Sequence, residues 1–279
     1  MNVTIIARDT KDSPNMTAND AAILADVSKE LIALGASVNS FNGKIGSNTD
    51  AVCHMTRDKA ILTELKRAEA KNIIVTNAPQ AVEKCSRASF MDILQKAGIA
   101  QPPYTLIEKT NELDALQYPA WIKKADGWSR HKNDVVYANN ANEAKHITKE
   151  MKKRGIDRVI HCVHTEGDLI KFYAVSDKLF YTCYPTPEKT KFGLEAFNGA
   201  PKHYPFDSKR MMEIANKAGK AIGVDIYGGD CIVDDKGNIY IIDINDFPSF
   251  SAIRKEAARV IANHIVTTLK KRKINENRG

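Results

Sequence analysis

The sequence predicts an α/β domain followed by an α+β region. In the first third, short apolar runs of strand length alternate with helical stretches, which is typical of a parallel sheet covered by helices. Beyond Pro102 and Pro103 the pattern changes to strands joined by short polar turns, which indicates antiparallel sheets. The chain has 279 residues. That length exceeds what one hydrophobic core usually serves, so we expect more than one lobe.

The first predicted domain spans residues 1–85. Helix 20–34 is closed by Gly35, and no Gly-x-Gly-x-x-Gly follows the first strand, so the fingerprint of nicotinamide binding is missing. The predicted strands are residues 3–7, 37–41, 52–55 and 73–75, and the predicted helices are residues 20–34 and 58–70.

Two further lobes are predicted after it, a small one at residues 86–163 and a C-terminal one at residues 164–279. Pro102 and Pro103 indicate a linker after a helix that ends at Gly98. The predicted strands are residues 119–124, 135–137, 158–163, 169–175 and 178–184, and the predicted helices are 86–97, 141–153, 208–222 and 251–271. The last helix carries an apolar stripe formed by Ile253, Ala257, Val260, Ile261, His264 and Ile265. The 185–205 loop is long enough to suggest a function.

Composition limits the function classes. Hydrophobic residues make up 43% of the chain and charged residues 27%, as in an ordinary globular protein. The sequence has no apolar run of about 18 residues, no signal-peptide pattern and no Cys-x-x-Cys, so we expect a cytoplasmic protein without membrane contact. The net charge of +7 fits a small anionic substrate, and no nucleic-acid-binding motif accompanies it. The sequence does not determine the oligomeric state and is compatible with a homo-oligomer.

A hairpin near the C-terminus carries acidic residues. Its two apolar runs flank a turn at residues 235–238. Asp243 and Asn245 project from the same face of their strand, and Asp230 lies near them if the hairpin is in register. Such oxygen donors suit one or two Mg²⁺ ions, with Mn²⁺ as the alternative. The competing interpretation is a surface hairpin, but a carboxylate within an apolar run is costly unless it is paired or bound to a metal.

Lys123 and Lys171 lie within apolar strand patterns. A single lysine in a strand is usually a solvated edge residue. Together with an acidic site downstream, these two become candidate ligands of a transferring phosphoryl group. His161 and His164 suggest zinc, but histidines three apart on a strand point to opposite faces, which disfavours that interpretation.

The order of motifs resembles the ATP-grasp superfamily from about residue 1 to residue 268. The motifs are Asn77-Ala-Pro79, Arg87 on a helix, Pro119-Ala-Trp-Ile-Lys123, the strand Val159-Ile-His-Cys-Val163, Glu166-Gly-Asp-Leu-Ile-Lys171, and Asp230 with Asp243-Ile-Asn245. The resemblance implies an ATP-grasp fold with an N-terminal parallel α/β domain preceding it.

The resemblance also implies roles for these residues. Arg87 and Lys123 would contact the ATP phosphates, and Lys171 the γ-phosphate. The backbone of His161, Cys162 and Val163 would hold the adenine, and Glu166 would lie near the ribose. Asp230, Asp243 and Asn245 would bind Mg²⁺. The polar loop at residues 125–133 either closes over the phosphates or is an ordinary exposed loop.

Two reactions are compatible with these motifs. The favoured one is that of RimK-like carboxylate–amine ligases, in which ATP activates a small acidic substrate as an acylphosphate. The alternative is an inositol-phosphate kinase of ATP-grasp type, which Asp243-Ile-Asn245-Asp-Phe-Pro248 also resembles. Lys171 and Arg87 would be the catalytic cations in either case. A nucleotide-binding module without activity is disfavoured because both lysines and all three metal-binding candidates are present.

Overall fold

The N-terminal domain is built on a parallel sheet. The computed structural model describes residues 1–186 and 194–276. The strands of this sheet are β1 (Asn2–Ile6), β2 (Ser37–Ser40), β3 (Ala51–His54) and β4 (Ile74–Thr76), and they lie in the order β2-β1-β3-β4. The connecting helices are α1 (Thr17–Ala33) and α2 (Lys59–Ala70). All three strand pairs are parallel, so the predicted α/β domain is confirmed.

Two antiparallel sheets follow the short helices α3 (Pro79–Lys84) and α4 (Arg87–Lys96). The middle sheet contains β5 (Tyr104–Ile107), β6 (Ala120–Lys124), β7 (Val135–Ala138) and β8 (Val159–Val163), in the order β5-β8-β6-β7, with α5 (Ala141–Lys153). The C-terminal sheet contains β9 (Asp168–Val175), β10 (Leu179–Cys183), β11 (Ile226–Val233) and β12 (Ile239–Asp246), in the order β10-β9-β11-β12, with α6 (Ser208–Ile222).

Strand β5 was missed in the sequence analysis, which marked the double proline as a linker and predicted no strand between it and residue 119. In the structure Tyr104 pairs with Cys162 and Ile107 with Val159, so β5 forms an edge of the middle sheet. Pro103 lies just before the strand, and its carbonyl accepts a hydrogen bond from the Val163 backbone N–H. A proline costs no ladder hydrogen bond at the start of a strand, so it did not prevent pairing there.

The last helix, α7 (Arg254–Glu276), packs on the N-terminal domain. Ala257, Ile261 and Ile265 of its predicted apolar stripe are fully buried, and they share a core with Val27 and Leu31 of α1. The two helices therefore cover the N-terminal sheet together. The three sheets lie within residues 1–85, 86–163 and 164–279, while the domain bounds themselves stay a prediction. Among the described helices, none is long and apolar enough to cross a bilayer.

Asn77 joins the N-terminal domain to the strand that carries Asp230. Its side chain is 2% exposed and donates from Nδ2 to the Ile226 carbonyl at 2.7 Å. Its Oδ1 accepts from the backbone N–H groups of Asp225 and Ile226 at 3.0 and 2.8 Å. These bonds satisfy the backbone groups at the start of β11, so they fix that strand against the end of β4.

Acidification should destabilise the fold through His54. This side chain is 1% exposed, its Nε2 lies 2.7 Å from the Asn77 carbonyl, and burial lowers its pKa. The unfolded chain, with a histidine pKa of about 6.5, therefore binds a proton first, and the free energy of unfolding falls as pH drops below that value. Urea unfolding at pH of about 7.5 and 5.5 measures the loss.

The His54→Gln variant retains a donor for the Asn77 carbonyl and removes the titration. We expect a smaller pH dependence rather than none, because burial lowers the pKa of His161 and His164 as well. Equal losses of stability in the variant and the wild type would contradict this explanation.

Candidate active site

Three charged side chains lie side by side on the C-terminal sheet. Lys171 on β9 is the register partner of Asp230 on β11, and Asp230 is the register partner of Asp243 on β12. Directly opposite residues project from the same face of a sheet. The Lys171 Nζ lies 2.9 Å from the Asp230 Oδ1. The three strands thus form one polar strip on an otherwise apolar sheet.

A β-bulge shapes this strip. The register between β11 and β12 shifts after Asp230, where Cys231 pairs with Ile241 and leaves Ile242 as the extra residue. A side chain at Gly229 would lie 2.2 Å from the Asp243 carbonyl oxygen, so only glycine lets the two strands approach at this point. The bulge and the glycine therefore set the separation of the two carboxylates.

The oxygen donors on this strip suit a hard divalent cation. Asn245 donates from Nδ2 to the Asp243 Oδ2 at 3.0 Å, which leaves the amide oxygen available as a ligand. Two carboxylates and an amide oxygen are a chemically suitable set for Mg²⁺. Within the described residues, no group of three or more His, Cys, Asp or Glu side chains could hold a metal. Two carboxylates with an amide remain the metal site that the sequence predicts.

A cavity of about 250 Å³ opens over the strip, between the middle and C-terminal sheets. We refer to it as the larger cavity, since it is the larger of two adjoining cavities at this site. Its wall includes Arg57, Arg87, Trp121, Lys123, Trp128, Cys162, Val163, Lys171, Asp230, Asp243 and Asn245. The structure therefore brings eight of the ten sequence-derived site residues to one space, and the exceptions are His161 and Glu166.

Three hydrogen-bond donors in the larger cavity have no acceptor. Lys123 is 7% exposed, and its ammonium has no ion pair or hydrogen bond to any residue that the structure describes. Arg87 Nε and Trp128 Nε1 are buried and, in the same described part of the chain, unpartnered. The Arg87 guanidinium is oriented by the Lys124 carbonyl at 3.0 Å and Ser129 Oγ at 3.2 Å. Because a buried ammonium without a counter-charge is costly, this end of the cavity is suited to an anion.

The side chain of His161 points away from the larger cavity. Its Nε2 lies 2.9 Å from the Gln117 carbonyl, and its ring makes an edge contact with Tyr118. The next two residues of the same strand, Cys162 and Val163, line the cavity, whereas His161 does not. His164, on the other face, accepts a hydrogen bond from Trp121 Nε1 at 3.1 Å. The two histidines therefore share no metal site, and the proposed backbone contact to adenine stays a prediction.

Glu166 lies on the exposed turn between β8 and β9. It follows Thr165, which lines the larger cavity, but it is not itself part of the wall. Its proposed contact with a ribose stays a prediction.

The loop at residues 125–133 docks onto the N-terminal domain. The Arg57 guanidinium lies 4.8 Å from the centre of the Trp128 ring, and Trp128 also packs against an apolar cluster that includes Ile6 and Val52. Arg130 Nε donates to the buried Asp12 Oδ1 at 2.6 Å. The loop thus connects the middle sheet to the N-terminal domain, and whether it moves when phosphates bind stays a prediction.

An ion-pair network beneath the strip was missed from the sequence. Asp246 is 1% exposed and contacts Arg57 Nη2 at 2.6 Å and Arg8 Nη2 at 3.3 Å. Burial opposes ionisation of Asp246, but the two guanidiniums outweigh it and keep the pKa of this carboxyl below its usual value. Arg8 and Arg57 follow the carboxyl ends of β1 and β3. In parallel sheets that edge carries ligand-binding residues, so the predicted strands could have identified the two arginines as candidate site residues.

A second cavity of about 150 Å³ adjoins the first. We refer to it as the smaller cavity. The two share Arg57, Lys171, Asp230 and Asn245, so the polar strip lies where they meet. The other wall of the smaller cavity comes from the N-terminal domain and the segment after β12; it includes Arg8, Asp12, Ser13, Asp20, Pro248, Ser249 and Ser251. The arrangement can hold one ligand on each side of the oxygen donors.

Comparison with known sequences identifies the same region. A family model described as the RimK-like ATP-grasp domain matches residues 85–269. A probable alpha-L-glutamate ligase of Histophilus somni strain 129Pt is 22% identical over 214 residues, which are 74% of this chain and 71% of the relative. A protein of the same description from Haemophilus influenzae is 23% identical over 209 residues, covering 72% of this chain and 68% of the relative.

Comparison with solved structures concerns the fold. The ATP complex of D-alanine–D-alanine ligase from Bacillus anthracis superposes with a TM-score of 0.72 at 15% identity and covers 99% of both chains. A RimK-domain ATP-grasp protein from Sphaerobacter thermophilus gives a TM-score of 0.69 at 14% identity, over 94% of this chain and 98% of that one. The predicted ATP-grasp fold is confirmed.

Proposed function

We propose that this chain, which belongs to the RimK-like ATP-grasp family of ATP-dependent ligases, joins a carboxylate to an amine through an acylphosphate. The observation that carries the proposal is Lys123, a buried residue whose ammonium has no ion pair or hydrogen bond within the described part of the chain and which lines the same cavity as the oxygen donors Asp230, Asp243 and Asn245. A phosphate chain would supply a counter-charge to the lysine, and the carboxylate and amide oxygens would bind a divalent cation.

The reaction has two steps. A carboxylate oxygen of the first substrate attacks the γ-phosphorus of ATP, the bond from that phosphorus to its bridging oxygen breaks, and ADP leaves with the electron pair. The amine nitrogen of the second substrate then attacks the acyl carbon, and the bond from this carbon to the phosphate oxygen breaks. The ammonium group loses two of its three protons, one to the departing phosphate and one to solvent, so this step yields an amide, hydrogen phosphate and one proton.

The side chains contribute mainly electrostatic stabilisation. Arg87 and Lys123 would neutralise the phosphates at one end of the larger cavity, and Lys171 would lie beside the transferred phosphoryl group at the junction with the smaller cavity. Asp230, Asp243 and Asn245 would hold Mg²⁺, which would supply positive charge to neutralise the phosphates. The loop carrying Trp128 would exclude water from the phosphates.

Two observations disfavour the alternative of an inositol-phosphate kinase. The named relatives are ligases. Moreover, each cation that lines the smaller cavity already contacts a carboxylate within the described part of the chain, so a polyphosphorylated acceptor would find little unpaired positive charge there.

The test is product analysis with Mg²⁺ and ATP. We take L-glutamate as the first amino acid, because the relatives are named as glutamate ligases, and we offer it with a panel of small carboxylates. Phosphorus NMR should show orthophosphate and ADP only when a carboxylate and an amine are both present, and mass spectrometry should show a new amide. A stable phosphate ester in place of orthophosphate would overturn the ligase proposal in favour of a kinase.

A further inference from the structure

Asp12, a residue of the wall of the smaller cavity, has a buried carboxylate oxygen that lacks a hydrogen bond to any described residue. Asp12 lies on a short 3-10 turn after β1 and is 1% exposed. Its Oδ1 accepts from Arg130 Nε at 2.6 Å, whereas its Oδ2 is buried with no partner among residues 1–186 and 194–276. An unsatisfied carboxylate oxygen is costly to bury, so this atom marks a place where a ligand donates a hydrogen bond.

We propose that the smaller cavity binds the amine substrate of the ligase and that Asp12 Oδ2 accepts a hydrogen bond from its ammonium group. An ionised carboxylate is an acceptor only, so a phosphate or carboxylate group cannot bind to this atom. Coulomb attraction adds to the hydrogen bond when the donor is positively charged, which favours ammonium over a neutral hydroxyl. The inference rests on the proposed function and names the chemical class of its second substrate.

The charges around the smaller cavity support a cationic ligand. Three positive side chains line it, and each already contacts a carboxylate in the described structure. These ion pairs are Arg8 with Asp20 and Asp246, Arg57 with Asp246, and Lys171 with Asp230. Asp12 Oδ2, by contrast, is a buried carboxylate oxygen that no described residue contacts by a hydrogen bond, and a carboxylate attracts positive charge.

The position of Asp12 suits a substrate that spans the cavity. Asp12 comes from the N-terminal domain, whereas Asp230 and Asn245 come from the C-terminal sheet and also line the larger cavity. A molecule held by its ammonium at Asp12 therefore lies next to the junction at which the acylphosphate would form. Asp12 is in this view a specificity-determining residue for the amine.

A purely structural role for Asp12 makes a different prediction. If Asp12 only anchors the loop through Arg130, removing either partner should have the same consequence. If Asp12 Oδ2 binds the ammonium, removing Arg130 leaves that atom in place. Asp12→Asn and Arg130→Gln are therefore a matched pair, one removing the charge of the carboxylate and the other removing its partner from the loop.

The experiment measures binding without turnover, in the presence of Mg²⁺ and a non-hydrolysable ATP analogue. The probes are pairs that differ only in the ammonium group: L-glutamate and glutarate, glycine and acetate, and L-alanine and propionate. Calorimetric titration of the wild type should show at least one amino acid binding about 10- to 100-fold more tightly than its partner, the range of a hydrogen bond to a charged group. The preference should disappear in Asp12→Asn and persist in Arg130→Gln.

Two outcomes would overturn the inference. The first is a wild-type protein that shows no preference for ammonium in any pair, and this measurement does not depend on how a variant folds. The second is an Arg130→Gln variant that loses the preference as completely as Asp12→Asn. Orthophosphate release tests the proposed ligase reaction separately, so a failed reaction with a retained ammonium preference would refute the function and leave this assignment standing.

Discussion

Asp243→Asn should lower turnover by roughly 100-fold or more, the scale on which enzymes lose activity when one well-placed electrostatic group is removed. The substitution preserves the size and an oxygen of the side chain but removes its charge. Because Asp243 lies opposite Asp230 and accepts a hydrogen bond from Asn245, the loss would fall on the proposed Mg²⁺ site. Asn245→Ala should act in the same direction.

The fold should survive these changes. Asp243 is only half-buried, and no ion pair of the described residues depends on it. We expect the melting temperature without ligand to stay within about 2 °C of the wild type. Mg²⁺ with an ATP analogue should stabilise the wild type and have less effect on the variant, because ligand that binds only the folded state raises its stability.

The matched control is Asp235→Asn. Asp235 is exposed at the turn of the same hairpin and lines neither cavity, and its substitution changes the net charge by the same amount. Its turnover should equal that of the wild type. Near-normal activity in both Asp243→Asn and Asn245→Ala would refute the metal-site assignment.

The sequence predicted most of what local patterns determine. Short apolar runs separated by helical stretches located the parallel strands. The two-residue spacing of Asp243 and Asn245 placed their side chains on one face, which the β-ladder confirms. The sequence could place Asp230 opposite Asp243 only by assuming the register of the hairpin, because the bulge at Ile242 has no clear sequence signature.

The rest depends on contacts between distant segments. Asp12 and Arg130 are 118 positions apart, and Arg57 and Asp246 are 189 positions apart. No periodicity relates such residues, since their meeting follows from how the N-terminal domain packs on the C-terminal sheet. Trp128 shows the same limit: in the sequence it is one apolar residue in a polar loop, and only the fold brings it over Arg57.

Substitution of the buried Lys123 should raise the stability of the protein and impair its function. Lys123→Met removes the ammonium and preserves most of the apolar stem. In the protein without ligand, the variant should be more stable than the wild type by about 0.5–2 kcal/mol, because a buried charge that has no partner among the described residues is replaced by a side chain suited to the interior. Denaturant unfolding measures this gain.

The same variant should lose nucleotide binding. If Lys123 contacts the phosphates, removing it should weaken the affinity for Mg²⁺ and an ATP analogue by about 10- to 100-fold, the range of a charge-assisted hydrogen bond. Lys124→Met is the matched control, since Lys124 is the next residue on β6, is half-buried and does not line the larger cavity. It should change neither quantity appreciably. A Lys123→Met protein that is less stable than the wild type and still binds the nucleotide normally would show that the ammonium serves the fold, and the proposed phosphate contact would then be wrong.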